Sequence, residues 1–429
     1  MIIMPIFKKI MAAVLSAAVL CTYFSGCSEN GSSAALSNPV AVTVDEEGNT
    51  DVDMEIALAY ETDVDALLET LAAKPVDPTK PVSENSSEKT LAVFNYLREN
   101  YGTNTFIAQQ MYSADQYEDT VYYSVTGDLP AIKGFDMLHV TGSGDASQVD
   151  DAIEWHTYSG GLVTFTWHWF VPRDIDNPSM GKAFYTNEII NFSLANAVTP
   201  GTAEYEQVIH DIDQVAIQLQ RLEAAGVPVI WRPLHEAAGG WFWWGKASRD
   251  TAITDSYKKL WYMVFDRLEN YHKLTNLIWV WNAQNVTMTV DPNTYDISGT
   301  DIYPDSETHA SQVTEFNKLS EMTYEGKMIT LSECGYLPDI EDMKKNGAMW
   351  LYSMPWYGDF VFAGSGNSPD LNLDSMPSLN PKKMSEEFLQ GLFASDNVIT
   401  WNKLPDWEGT ERNLPEKTEL RIALANLGK

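Results

Sequence analysis

Residues 227–236 read Val-Pro-Val-Ile-Trp-Arg-Pro-Leu-His-Glu, and this stretch is the clearest indication of the fold in the sequence. A run of β-branched and aromatic residues that meets a charged residue and a proline is typical of a buried strand at its end. Helical patterns lie on both sides of the run, and Gly226 stops the first of them. Their apolar stripes are Ile212, Val215, Ala216, Leu219 and Leu222 before the strand, and Leu260, Trp261, Val264, Phe265 and Leu268 after it.

Seven further runs of this kind, separated by helical patterns, make eight predicted strands. Their ranges are Thr105–Gln109, Ala131–Phe135, Leu162–Trp167, Val227–Arg232, Leu277–Trp281, Ile297–Tyr303, Met328–Glu333 and Met349–Ser353. Eight strands that alternate with helices favour an α/β fold, the (β/α)8 TIM barrel, in a single catalytic domain. Catalytic side chains of such a barrel lie at the C-terminal ends of the strands.

Two strand ends carry a glutamate. Glu236 follows the fourth strand and Glu333 ends the seventh, and strand alternation allows both side chains to point inward. Glycoside cleavage needs two carboxyl groups, one to protonate the leaving oxygen and one to attack the anomeric carbon or to activate water. The gap between the two groups decides between retention and inversion. The sequence therefore predicts Glu236 and Glu333 as a catalytic pair.

The His-Glu pair at 235–236 also begins the zinc-protease motif, but the position of the second zinc ligand holds Gly239. We therefore predict no metal, and we interpret His235 as a residue that orients the sugar or the glutamate. A histidine buried in the core is the alternative.

Aromatic residues crowd the same strand ends. The block Trp241-Phe242-Trp243-Trp244 is hard to bury on both sides of one loop, and we expect Trp241 to be a platform for a sugar ring. His168 stands between two tryptophans after the third strand. Tyr303 ends the sixth predicted strand, where its hydroxyl could keep a carboxylate ionised. Trp356, beyond the eighth strand, is a further possible platform.

The net charge is −32. This charge disfavours nucleic acid, anionic lipid and acidic polysaccharide as partners, whereas a neutral polymer carries no such penalty. A solvated acidic surface is the plainer explanation of the charge.

The N-terminal residues resemble an export signal. Lys8 and Lys9 precede an apolar run, Ile10–Leu20, that is short for a membrane span. Phe24-Ser25-Gly26-Cys27 is similar to the processing site of bacterial lipoproteins, although leucine is usual at the place of Phe24. We predict a signal peptide over 1–26, lipidation of Cys27, an acidic flexible tether over 27–81 and the catalytic domain over 82–429. The chain would be lipid-anchored at the cell surface or, without the lipid, secreted.

The motifs resemble those of glycoside hydrolase family 26, whose members are mostly endo-β-1,4-mannanases. The block from Trp231 to Glu236, followed by Gly239 and by Trp241 to Gly245, carries the resemblance. Shorter matches keep the family's order along the chain: Gln109-Gln110, Gly134-Phe135-Asp136, Thr166-Trp167-His168-Trp169, Trp279-Val280-Trp281-Asn282 and Asp301-Ile302-Tyr303. Cys334 departs from the family pattern, and we interpret it as a buried filler.

The resemblance implies a (β/α)8 barrel and a retaining double displacement, with Glu236 as acid/base and Glu333 as nucleophile. His235 and Tyr303 match residues that position the substrate and the nucleophile. His168, Trp241 and Trp356 match residues near the −1 subsite. No cofactor is implied, and the expected partner is a β-mannan polysaccharide or oligosaccharide bound by a monomer.

Two alternatives remain open. Some members of this family cut mixed-linkage β-glucan or β-1,3-xylan. The chain could also be a non-catalytic surface lipoprotein that only binds glycans, although a binder does not need both carboxylates.

Overall fold

A computed structural model describes residues 42–44, 50–112, 115–245, 251–371 and 376–427. Within these residues, eight parallel strands form a closed barrel, because the last strand pairs with the first through Tyr352 beside Phe106. The strands are β1 (Thr105–Gln110), β2 (Ile132–Asp136), β3 (Leu162–Thr166), β4 (Val229–Arg232), β5 (Leu277–Trp281), β6 (Ile297–Ile302), β7 (Met328–Cys334) and β8 (Tyr352–Pro355). The predicted TIM barrel is confirmed, and each predicted strand overlaps an observed one.

Helices surround the barrel, and their bounds follow the sequence signals. They are α1 (Glu88–Asn100), α2 (Tyr117–Thr126), α3 (Ser147–Ser159), α4 (Ala203–Ala224), α5 (Thr251–Asp266), α6 (Val313–Met322), α7 (Ile340–Asn346), α8 (Glu386–Ala394) and α9 (Glu416–Leu427). In α4, the Thr202 side chain accepts a hydrogen bond from the N–H of Tyr205 and begins the helix. After the helix ends, Gly226 has a φ of +69°, which only glycine adopts without strain.

Smaller elements complete the described fold. Short helices span Met54–Leu58, Val64–Ala72, Leu138–Gly142 and Leu194–Ala197. Short antiparallel pairs join Val42–Val44 to Thr50–Val52, Val171–Pro172 to Lys182–Ala183, and Gly364–Ser365 to Ser368–Pro369. Val398–Ile399 adds a parallel pairing to β1. None of the helices in the described ranges is long and apolar enough to cross a membrane.

The connection from β5 to β6 holds only short 3₁₀ turns, Val286–Met288 and Pro292–Thr294, and the N-terminal segment packs against it. The Asn293 side chain donates hydrogen bonds to the carbonyls of Leu71 and Lys74, at 3.2 and 3.4 Å. The N–H of Val82 donates to Asp296 at 2.8 Å. Residues 71–82 therefore cover the part of the barrel wall where this connection has no long helix.

This packing corrects part of the predicted tether. Arg267 donates to the carbonyls of Ala57 and Tyr60 at 2.9 and 3.2 Å, and the Tyr60 hydroxyl donates to Asp266 at 2.8 Å. Residues 54–81 thus belong to the folded domain rather than to a flexible linker. The predicted signal peptide, Cys27 and residues 28–41 lie outside the described residues and stay predictions.

Arg267 anchors this segment and also pairs with a buried carboxylate. It contacts Asp213 at 2.6 Å, and both side chains are almost completely buried. Replacing Arg267 with Leu should cost about 3–5 kcal/mol of unfolding free energy, because Asp213 would keep a buried charge without this cation. Chemical denaturation measures the loss.

The matched control is Arg221→Leu, because Arg221 pairs with Asp150 at the surface. An exposed pair contributes only about 0–1 kcal/mol. Equal losses in the two variants would contradict the structural role of Arg267.

Candidate active site

The turn after β4 places Glu236 at the barrel mouth. Leu234 and Glu236 both have a φ of +53°, in the left-handed region that costs a non-glycine residue about 1–3 kcal/mol. The N–H of Glu236 donates to the carbonyl of Asn282 at 2.7 Å, which ties the turn to the end of β5. The loop after Glu236 folds back so that Gly245 lies against Ala237. A Cβ on Gly245 would lie 2.0 Å from the carbonyl oxygen of Ala237, so only glycine fits at this position.

Glu333 lies in β7 and is held by two side chains. One of its oxygens forms an ion pair with the guanidinium of Arg232, and the other accepts a 2.6 Å hydrogen bond from the Tyr303 hydroxyl. Arg232 ends β4 and Tyr303 follows β6, so three strands fix one carboxylate. The structure therefore brings Tyr303 to the carboxylate, as its predicted role requires.

Asp301 is a third carboxylate in the site, which the sequence analysis did not single out. It contacts Arg232 at 3.1 Å and accepts hydrogen bonds from Asn282 at 2.9 Å and Ser332 at 2.7 Å. The pairing between β6 and β7 shifts after Thr300, so that Asp301 lies opposite Glu333. The sequence did offer a signal for this contact, because Asn282 follows β5 and Asp301 lies near the end of the neighbouring strand β6.

One carboxylate oxygen from each of Glu236, Asp301 and Glu333 lies within 4.8 Å of the other two. A gap near 5–5.5 Å between the two acting carboxyls is typical of retaining glycosidases, whereas inverting enzymes leave about 6.5–9.5 Å. The separation of Glu236 and Glu333 favours direct attack by one carboxylate. Three carboxylates could also attract a metal ion, but the buried guanidinium of Arg232 already contacts two of them.

The surroundings give the two glutamates different protonation states. Burial, followed by the charges of Asp301 and Glu333, raises the pKa of Glu236 to about 9. Burial and the Asp301 charge also raise the pKa of Glu333, but Arg232 and Tyr303 stabilise its ionised form. Glu236 has no direct cation contact among the described residues, so Glu236 holds the proton and Glu333 is the ionised member.

Two histidines lie beside the carboxylates. His168 bonds Asp136 through Nδ1 at 2.6 Å, and His235 bonds the Thr166 hydroxyl at 3.0 Å. Their ring centroids are 4.6 Å apart. Burial, followed by the charge of Arg232, holds the pKa of His235 well below its usual value, so this ring stays neutral. The structure thus brings both predicted histidines together at the strand ends.

The aromatic block divides into one exposed ring and three buried ones. Trp241 is 47% exposed and donates its indole N–H to Glu236 at 2.8 Å, whereas Phe242, Trp243 and Trp244 are buried. A cleft of about 520 Å³ lies beside Trp241. Its walls are Tyr185, Thr186, Asn187, Glu188, Gly240 and Trp241. Tyr185 was not predicted, because it lies in an irregular loop with no periodic pattern.

Trp356 lies after β8 with its ring centroid 5.9 Å from that of His168. The five predicted substrate-binding residues, His168, His235, Trp241, Tyr303 and Trp356, therefore all lie at the C-terminal end of the barrel. Their roles toward a sugar stay predictions. Cys334 is buried, and burial raises the pKa of its thiol, which suits a filler beside Glu333.

Comparison with known proteins identifies relatives of this chain. The sequence profile of glycosyl hydrolase family 26 matches residues 82–368. A mannan endo-1,4-beta-mannosidase of Thermothelomyces thermophilus is 33% identical over 326 residues, which are 74% of this chain and 61% of that protein. Mannan endo-1,4-beta-mannosidase B of Piromyces sp. is 36% identical over 67% of this chain and 52% of its own length. The chain thus spans about half to three fifths of these curated relatives.

A solved structure shows the same fold. It is the beta-mannanase from a symbiotic protist of the termite Reticulitermes speratus, complexed with gluco-manno-oligosaccharide. The TM-score is 0.65 at 30% identity, and the match covers 77% of this chain and 98% of that one.

The pKa of Glu236 should respond in opposite directions to two substitutions. Trp241→Phe removes a donor that stabilises the ionised form, so the Glu236 pKa should rise. Asp301→Asn removes a nearby negative charge, so the Glu236 pKa should fall. Titration of the carboxyl carbon by NMR measures both shifts, and Tyr324→Phe, an exposed aromatic before β7, is the control. Shifts of the same sign in both variants would contradict this electrostatic arrangement.

Proposed function

The chain belongs to glycosyl hydrolase family 26, and on that premise we propose that it is a retaining endo-β-1,4-mannanase. The observation that carries the proposal is the pair of Glu236 and Glu333. One oxygen of each lies within 4.8 Å of the other, and Arg232 and Tyr303 contact Glu333 but not Glu236. The names of the relatives support mannan as the substrate.

In the first step, protonated Glu236 gives its proton to the glycosidic oxygen while a carboxylate oxygen of Glu333 bonds to the anomeric carbon. The glycosidic bond breaks and the leaving sugar departs with the proton. Arg232 and Tyr303 keep Glu333 ionised and fix its direction of attack before the substrate arrives. The Glu236 pKa of about 9 keeps this carboxyl group protonated at neutral pH.

In the second step, Glu236 is the ionised base. It takes a proton from a water molecule, whose oxygen attacks the anomeric carbon as the bond to Glu333 breaks. Two displacements at one carbon retain its configuration. In the covalent intermediate Glu333 is an ester without charge, so one of the charges that raised the Glu236 pKa is gone. Formation of the covalent intermediate therefore lowers the pKa of Glu236, which then acts as a base.

The surrounding side chains give places for the two sugars at the cleaved bond. Trp241, which the family resemblance places near the −1 subsite, touches Glu236 and borders the cleft of Tyr185 and Glu188. This position suits a ring that lies where the attacked and the leaving sugar meet. His168, His235 and Trp356 lie beside the site of the attacked sugar and would orient it. The net charge of −32 does not oppose a neutral glycan.

Removing either glutamate should reduce hydrolysis of galactomannan, in different ways. Glu333→Ala should lower kcat by at least about 10⁴-fold, because no nucleophile remains. Glu236→Ala should lower kcat less for an aryl mannobioside with a good leaving group than for mannan, because such a group departs without an acid. Added azide should rescue both variants and give opposite anomers. Glu325→Ala, an exposed acid before β7, is the control.

Product analysis separates mannan hydrolysis from its alternatives. Release of reducing ends from mannan but not from lichenan or β-1,3-xylan supports the proposal, and NMR of the first anomer formed tests retention. A glycan-binding protein without activity would bind mannan and release nothing. Activity of Glu333→Ala near that of the wild type would remove Glu333 from the nucleophile role.

We also propose that the chain is exported and lipid-anchored at a bacterial cell surface through Cys27, as a monomer with no other attachment to the membrane. Lys8-Lys9, the apolar run Ile10–Leu20 and the small residues before Cys27 support this proposal. If the signal is cut without lipidation, the protein would be secreted.

Cys27→Ser should abolish lipidation and move the protein from the detergent phase to the aqueous phase of a Triton X-114 partition. Radiolabelled palmitate should label the wild type and not this variant. Cys334→Ser is the matched control, because this buried thiol lies in β7. Partition of Cys27→Ser into the detergent phase would contradict the lipid anchor.

A further inference from the structure

Helix α2 contacts the loop that carries Trp356. Glu118 and Tyr122 lie four positions apart in α2, so their side chains leave the same face of the helix. The Glu118 carboxylate accepts a hydrogen bond from the N–H of Gly358 at 3.0 Å. The Tyr122 hydroxyl donates to the side chain of Gln109 at 2.9 Å. Both contacts lead to the residues that follow β8.

Gln109 connects Tyr122 to this loop. Its amide group donates to the carbonyls of Pro355 and Trp356, at 3.3 Å each. The backbone that follows the Trp356 ring is therefore held twice, at its own carbonyl through Gln109 and at the N–H of Gly358 through Glu118. The ring itself lies beside His168, with 5.9 Å between the ring centroids. Because Gln109 and Glu118 are buried, water does not compete for these bonds.

The chain leaves the barrel at Trp356. Its N–H still donates to the carbonyl of Cys334 at 3.2 Å, but two residues later Gly358 has a φ of +72°. A Cβ on Gly358 would lie 2.5 Å from the carbonyl oxygen of Gly366, so only glycine fits in this turn. A buried N–H here needs an acceptor, and Glu118 provides it.

Contacts on its other faces fix α2 itself. Asp119 forms a buried ion pair with Lys133 in β2. Arg421 in α9 donates to the Thr120 hydroxyl at 3.3 Å and lies over the ring of Tyr117, 4.2 Å from its centroid. The helix is thus a rigid support for the loop that it holds.

A carboxyl group is a costly acceptor at this place. Burial raises the pKa of Glu118 to about 7. The folded protein holds this proton more tightly than the unfolded chain does, so Glu118 lowers the free energy of unfolding as the pH rises above the ordinary pKa of a glutamate. Stability alone therefore does not explain a glutamate here, whereas the strong hydrogen bond between a carboxylate and an N–H does.

We propose that Glu118 is a positioning residue for hydrolysis: together with Tyr122 and Gln109 it fixes the loop of Trp356, and so it sets where this ring meets the attacked sugar. Glu118 acts through the ring and is not a catalytic residue. A displacement of about 1 Å at a group that orients the substrate can lower the rate about a hundredfold. This inference rests on the proposed function.

The test compares Glu118→Gln, which keeps an oxygen acceptor, with Glu118→Leu, which has none. Tyr122→Phe removes the second contact and keeps the ring. The matched controls are Glu269→Gln and Glu269→Leu, because burial also raises the pKa of Glu269 to about 7 and this residue lies between α5 and the N-terminal end of β5.

Three measurements are made on each variant. They are kcat/KM for mannohexaose, the temperature of thermal unfolding, and the 19F NMR resonance of Trp356 in protein labelled with 5-fluorotryptophan. Trp356→Phe assigns this resonance. The resonance reports on the surroundings of the ring without any reaction.

Glu118→Leu should lower kcat/KM about ten- to a hundredfold and should shift the Trp356 resonance. Glu118→Gln should stay within about threefold of the wild type, because its amide oxygen still accepts from the N–H. Tyr122→Phe should show a smaller loss in the same direction. In a Trp356→Ala background, Glu118→Leu should lower kcat/KM no further, because its effect passes through the missing ring. The Glu269 variants should change thermal stability alone.

A folded Glu118→Leu with the kcat/KM and the Trp356 resonance of the wild type would overturn the proposal. Equal losses in Glu118→Gln and Glu118→Leu would also overturn it, as would the same loss with and without the Trp356 ring. If Glu118→Leu does not fold, Tyr122→Phe decides by the same measurements. Failure of the wild type to cut mannan would instead overturn the proposed function, while the Trp356 resonance would still test the support by α2.

Discussion

The active site depends on one buried guanidinium. Arg232 lies between Asp301 and Glu333, and all three side chains are withdrawn from water. Burying three charges is costly unless each is paired and hydrogen-bonded. Tyr303, Asn282 and Ser332 supply those bonds. Two carboxylates against one cation leave a net negative charge, so ionising Glu236 as well would add a second charge within 4.8 Å. The burial of Glu236 and this balance of charges together raise its pKa and assign the proton to Glu236.

Irregular backbone brings these groups together. In regular strands the side chains would simply alternate. Here Leu234 and Glu236 have a left-handed backbone conformation, and the register between β6 and β7 shifts beside Asp301. Each left-handed residue costs about 1–3 kcal/mol, which the surrounding packing must offset. The buried Phe242, Trp243 and Trp244 provide such packing under the turn, and the Trp244 indole donates to the carbonyl of His235 at 2.9 Å. The aromatic block is therefore mainly a support for the Glu236 turn, with Trp241 alone turned outward.

The sequence predicted what depends on local pattern and missed what depends on distant contacts. The strands were recognisable because each buries a continuous apolar run, although β8 begins three residues after the predicted start, since Met349–Leu351 are equally apolar but precede the pairing. Glu236 and Glu333 stood out because they follow such runs. Residues 54–81 were placed in a flexible tether because their composition is polar. The residues that hold them, among them Asp266, Arg267 and Asn293, lie about two hundred positions later in the chain. Asp301 and Tyr185 gain their significance from residues that are distant in the sequence, Arg232 for Asp301 and Phe242 for Tyr185, which no local pattern shows.

The net negative charge is compatible with the proposed glycan substrate, because charge and aromatic rings are distributed differently in the site. The buried carboxylates of Asp301 and Glu333 pair with Arg232. Their charges therefore serve the proposed reaction and attract a neutral sugar chain little. In the proposed function, contact with the chain would fall to exposed aromatic rings, and Trp241, which donates to Glu236, is one of them. Because Trp241 lies against Glu236, a chain that packs on this ring would also pass the two glutamates. The proposed cleavage within a chain, rather than at its end, requires a site that is open on both sides of the reacting bond.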